Sequence, residues 1–257
     1  MIELADYPLP LIFGLSLILI LAATEFGHWL GASTGERSSN VPTLMASILG
    51  LLALMISFTF AMSLSRFDAR RDALLAEANA INTAALYARL LPAPHSSESL
   101  KLLRDYVQIR LDLTQRKASA AEVEAAVARS DRLHEALWQQ AVAVAEQERG
   151  LIPAGLFIQS LNQLNDIQAK RLAAGRNRVP SIVLLALYGI AFVALAFTGY
   201  AAGPEARRWR PGVYVTGTVV AAVILLIQDL DRPTTGFIQV SQQPLIDAAA
   251  SLAKYMQ

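Results

Sequence analysis

Residues 41–91 read VPTLMASILGLLALMISFTFAMSLSRFDARRDALLAEANAINTAALYARLL. An uncharged apolar run, 41–64, passes without a break into Ser65-Arg66-Phe67-Asp68-Ala69-Arg70-Arg71 and then into an Ala- and Leu-rich segment of alternating charge. No proline falls between Pro42 and Pro92, and within this stretch no glycine follows Gly50. A helix of about 45 residues at 1.5 Å per residue is roughly 65–70 Å long. The hydrocarbon core of a bilayer takes up about 30 Å of it. The stretch therefore predicts one rod that crosses a membrane and continues well into water.

The rest of the chain fits that frame. It is 54% hydrophobic and 17% charged, and the apolar excess is gathered into four runs rather than spread as in a soluble core. Spans are predicted at about 7–28, 42–64, 179–202 and 211–228. Tyr7 and Trp29 flank the first as interfacial anchors would, and Pro8 and Pro10 stand at its start, where a missing N–H costs little. The amino terminus is acidic where a signal peptide is basic, so this run reads as a retained span. With 0 cysteines, disulfides, thiolate metal sites and Cys nucleophiles are excluded. A net charge of +1 gives no field suited to nucleic acid.

The expected organisation is all-α: a membrane part at 1–64, a soluble helical bundle at 65–178, a second membrane part at 179–228, and a juxtamembrane segment with an amphipathic helix at 229–257. Phe67, Leu74, Ala78, Ile81 and Ala85 recur at three and four, as on one helix face. Leu100 to Leu111, Val123 to Val144 and Leu156 to Leu172 carry similar patterns. The breaks between them fall at 91–94, 117–119 and 150–153, and no strand alternation intervenes. Four spans place both termini and the bundle on one side. Arg66, Arg70, Arg71, Lys170, Arg171, Arg176, Arg178 and Arg232 lie there, against Arg37, Arg207, Arg208 and Arg210 on the other. That excess predicts a multi-pass inner-membrane protein with a cytoplasmic bundle.

Four groups of residues are candidates for function. Ala46, Gly50, Ala53 and Ser57 make a narrow small-residue face on the second span, which suits close helix packing or the lining of a pore. Ser57, Phe60, Arg66, Asp68, Arg70 and Arg71 are the pore or juxtamembrane candidates. The arginines either anchor the span at headgroups or, repeated around an oligomer, concentrate anions. Pairing of Asp68 or Asp72 with Arg71 would partly neutralise their field. Asp229 and Asp231 stand at a helix C-terminus, where the macrodipole disfavours carboxylates. Ion pairs with Arg232, Arg66 or Arg70 are the favoured solution, fastening the fourth span to the long helix; a hard cation held by oxygens is the alternative. Glu77 and Asn79, with Asn82, follow on the long helix and suit either an assembly seam or solvent.

Glu25 and His28 share a face of the first span and read as polar groups at headgroup level, and His134-Glu135 as surface. Nucleotide, nucleophile and zinc-protease motifs are absent from the sequence, so no enzyme is expected.

Two stretches carry a family resemblance. One is Ser57-Phe58-Thr59-Phe60 through Leu64-Ser65-Arg66-Phe67-Asp68-Ala69-Arg70-Arg71 with Glu77-Ala78-Asn79-Ala80-Ile81. The other is Asp229-Leu230-Asp231-Arg232-Pro233 followed by Gly236-Phe237-Ile238-Gln239-Val240-Ser241. Together with two-plus-two spans around a helical insert, they resemble the bacterial bestrophin-like membrane proteins, catalogued as a domain of unknown function. Bestrophins proper are pentameric, calcium-responsive anion channels whose second helix lines the pore. The resemblance implies a homo-oligomer in a lipid bilayer that passes small ions such as chloride, with calcium as the one cofactor in view. Their run of consecutive acidic residues and their aromatic pore neck are not present here. A membrane-anchored signalling or scaffolding protein, its bundle binding a partner or ligand, is the rival reading.

Overall fold

A computed structural model describes residues 7–33, 40–115, 120–147, 152–202, 206–233 and 235–256. The acidic amino terminus, Glu36 and Arg37, the expected breaks at 117–119 and 150–151, residues 203–205 and the side chains of Arg207, Arg208 and Arg210 lie outside them. Among the described residues eight helices follow in order: α1 Leu9–Ser33, α2 Val41–Ala88, α3 His95–Gln115, α4 Ala120–Gln147, α5 Ile152–Arg176, α6 Ser181–Ala202, α7 Ala206–Asp231 and α8 Gln243–Tyr255. No strand occurs among the described residues. Helix α2 runs unbroken for 48 residues, as the proline-free stretch requires. Four helical stretches, in α1, α2, the segment containing α6, and α7, are long and apolar enough to cross a membrane. The last begins earlier than its proline suggests, with Pro211 inside α7 rather than at its start.

The chain divides into two compact units, with the boundary on α2 between Phe67 and Asp68. In the first, α1 packs against α6 and α7, and α6 against α7. Leu184, Leu187, Ala191, Ala194 and Leu195 bury one face of α6, meeting Ile20 of α1 and Ala221, Ile224 and Ile227 of α7. Lipid tails are as apolar as leucine, so close backbone approach must replace the hydrophobic drive. Gly27, Gly31 and Gly199 supply it. A Cβ at Gly27 would overlap the Ala196 carbonyl, one at Gly31 the Tyr200 carbonyl, and one at Gly199 the Thr24 carbonyl. Within the chain, close packing thus lies on the Gly27-x-x-x-Gly31 face of α1 and not on the small face of α2. Gly27→Val is expected to cost about 1–3 kcal/mol by forcing α1 off α6. An unchanged unfolding midpoint in detergent would show that the contact is dispensable. His28 is buried here, Nδ1 bonded to the Thr24 carbonyl at 3.0 Å. Glu25 is exposed and accepts from the Tyr214 hydroxyl.

The second unit is the helical bundle. Its core contains Ile81, Leu103, Tyr106, Leu137, Phe157, Leu164 and Leu245, all fully buried. Leu74, Ala78, Ile81 and Ala85 are buried as their spacing predicts, whereas Val123 is 40% exposed. Helix α8 packs on α3 and buries Leu245, Ala248 and Leu252, one face at spacings of three and four. Arg89 lies over the Tyr255 ring, 4.5 Å from its centroid.

Candidate pore helix and juxtamembrane site

Only 11% of the most apolar stretch of α2 is buried within the chain, against 33–50% for the other three spans. Ala46, Gly50, Ala53 and Ser57 are all exposed, and a Cβ at Gly50 would meet nothing within 4 Å. Leu44, Leu51, Leu54 and Phe58 share this open side. The Ser57 hydroxyl donates to the Ala53 carbonyl at 2.8 Å and so needs no further partner. Phe60 is half-buried against the core of the first unit. The outward aromatic is its neighbour Phe58, 63% exposed, because a two-residue step on a helix turns the side chain through about 200°.

The cationic cluster splits. Arg66 is half-buried and Arg70 buried, while Asp68 and Arg71 are exposed. Among the described residues neither Asp68 nor Asp72 is within ion-pair distance of Arg71, so the expected local neutralisation does not occur.

Asp229, Asp231 and Arg232 are buried at the end of α7. The Phe237 and Ile238 amides donate to the two oxygens of Asp229 at 2.6 and 3.0 Å. Backbone amides, not an arginine, thus satisfy this carboxylate. The chain folds back so closely that a Cβ at Gly236 would stand 2.6 Å from Asp229 Oδ1. Asp231 Oδ1 accepts from the Val179 amide at 2.9 Å, tying α7 to the segment that leads into α6. Arg232 Nη2 donates to the Tyr7 carbonyl at 2.6 Å, at the start of α1. Three polar side chains within four positions therefore hold three separate backbone segments.

In the second unit, Glu77 of α2 has 0% exposure. This overturns the solvent and seam readings for Glu77, while Asn79 is exposed. Tyr106 Oη donates to Glu77 Oε1 at 2.5 Å. Arg171 of α5 donates to Glu77 Oε2. Arg110 Nε stands 3.0 Å from Oε1, a charge contact without an aligned N–H. The Gln168 amide lies 3.1 Å from the same phenol oxygen and donates to Asp131 at 2.9 Å. Burial pushes the Tyr106 phenol up to about 12, with Arg110 opposing and Asp131 adding to the rise, so it stays a donor. Burial lowers Arg171 to about 10 and Arg110 below its usual value, yet guanidinium groups remain cations at neutral pH. Residue types alone did not reveal this cluster, whose members come from α2, α3, α4 and α5. Among the described residues no group of three or more His, Asp or Glu side chains is placed to hold a metal ion.

The Bestrophin-like domain model matches residues 12–245. The chain belongs to the Bestrophin-like family. In fold, this family member is similar to a bacterial bestrophin homolog from Klebsiella pneumoniae, with a TM-score of 0.66 at 15% identity over 96% of each chain. It is similar also to a membrane protein solved with a proline-to-alanine substitution, with a TM-score of 0.65 at 16% identity over 96% of this chain and 97% of that one. Curated proteins give no match. The protein is thus an all-helical membrane protein of bestrophin-like architecture.

Proposed function

We propose that copies of this chain assemble around α2 and conduct small anions, with the small-residue face of α2 along the pathway. The observation that carries this reading is the openness of α2. It is the longest helix, yet 11% of its apolar stretch is covered within the chain. A face of Ala, Gly and Ser offers little side-chain bulk to narrow a pathway. Beyond it stand the exposed Arg71 and half-buried Arg66, the charge type that favours anions at a pore mouth. The resemblance to bestrophins implies five copies, with calcium as the effector to test, and the Lys/Arg excess on the bundle side favours an inner-membrane protein with a cytoplasmic bundle.

Purified protein in liposomes is expected to raise chloride flux above that of empty vesicles. Arg66→Ala with Arg71→Ala should weaken it several-fold. Ser57→Leu should cut it about tenfold by narrowing and dewetting the path, with assembly size unchanged by light scattering. Measurements with and without calcium, and with sodium in place of chloride, complete the test. Equal flux of cations and anions, or no flux from folded protein, would sink the anion reading.

A further inference from the structure

Between α4 and α5 an open cleft of about 290 Å³ lies on the bundle surface, close to the lower end of small-molecule sites, with Asp131, Glu135, Trp138, Asn162 and Asn165 exposed along it. Asp131, Glu135 and Trp138 line it from α4 at i, i+4 and i+7, and Asn162 and Asn165 from α5 at i and i+3, so each helix offers one face. The lining contains no lysine or arginine. Two like charges one turn apart repel each other. Both accept from neutral amides: Asp131 from Gln168 at 2.9 Å and Glu135 from Gln139 at 2.6 Å. His134 also lines the cleft. Its ring lies 5.0 Å from that of Tyr106, and its Nε2 is buried with no hydrogen-bond partner. Burial holds this imidazole below its usual value, with Arg110 adding to the fall and Asp131 and a hydrogen bond with Asn165 opposing it, so it adds no positive charge.

We propose that this cleft binds a small organic cation bearing ammonium or guanidinium groups. Asp131 and Glu135 hold its charge, the Trp138 ring supplies a cation-attracting face, and the asparagine amides take its N–H groups. A bare metal ion fits less well, since the described residues bring no three ligating side chains together. Side chains one helical turn apart stand about 5–6 Å from each other, a distance that two amino groups on a four-carbon chain can bridge. The site also has a route inward: Asp131 holds Gln168, Gln168 meets Tyr106, and Tyr106 bonds Glu77 on α2. Occupancy would thus reach the charge balance of the bundle core. The binding claim does not depend on conduction.

The test is calorimetric titration of the full-length protein in detergent with 1,4-diaminobutane and agmatine. Butane-1,4-diol serves as a neutral control, and magnesium chloride as a metal control. The cations are expected to bind saturably and the diol not at all. Glu135→Gln, which leaves the Gln168 contact alone, should weaken binding roughly two- to fivefold, and Trp138→Leu should weaken it as well. Equal binding by the diol, binding by magnesium alone, no binding by folded protein, or full binding by the Glu135→Gln variant would each overturn the proposal.

Discussion

Glu77→Gln is expected to destabilise the bundle by about 3–5 kcal/mol, the usual cost of leaving a buried ion pair without one partner. The substitution keeps size and one acceptor oxygen, so what it removes is charge. Glu77 is fully buried, and Arg110 and Arg171 retain 4% and 16% side-chain exposure around it. Without the carboxylate, two guanidinium groups would share a low-dielectric site with a neutral amide. Asp131 is hydrogen-bonded to Gln168 rather than to either guanidinium and does not replace it. Tyr106→Phe is the milder companion, removing one hydrogen bond and costing about 1–3 kcal/mol. For a chain of this length 3–5 kcal/mol corresponds to a fall of roughly 6–20 °C in unfolding midpoint. A shift within about 2 °C for Glu77→Gln would mean that water reaches the carboxylate and that the cluster is not a core element.

How much of this was legible beforehand depends on what the signal was. The proline-free stretch at 41–91 forces a single long helix, and α2 is that helix. Spacing placed Leu74, Ala78, Ile81 and Ala85 inside, and they are buried. Glu77 reads as a seam or a solvated residue, because an acid on a helix past a membrane is usually solvated. Yet Glu77, Ile81, Ala84 and Ala88 recur at four, three and four, and all are buried; position outweighed polarity. Its partners were illegible for another reason: Tyr106, Arg110 and Arg171 meet it only through tertiary packing. The helix contact at Gly27, Gly31 and Gly199 was readable in part, since Gly27-x-x-x-Gly31 is a close-packing spacing. The small face of α2 carried a similar signal, and sequence spacing does not tell which face a neighbour in the same chain will cover.

Asp229→Ala is expected to cost about 3 kcal/mol in the first unit, from two charge-assisted hydrogen bonds worth about 1.5–3 kcal/mol each less what water regains. Water does regain part, because Phe237 is 75% exposed. The carboxylate sits where the α7 dipole opposes it, so its stability there rests on the Phe237 and Ile238 amides. Asp229→Asn keeps one acceptor but turns an NH₂ toward the other amide, and should lose about half as much. Gly236→Ala attacks the same contact from the far side, since its Cβ would press on Asp229 Oδ1 and on the Asp229 carbonyl at 2.9 Å. If one closed turn is what both changes break, the double variant will be little worse than Asp229→Ala alone, with a coupling of about 1 kcal/mol or more. Unfolding midpoints of the three variants in detergent measure this. Simple additivity would mean that carboxylate and glycine act independently, and that the turn closes for some reason other than this bond.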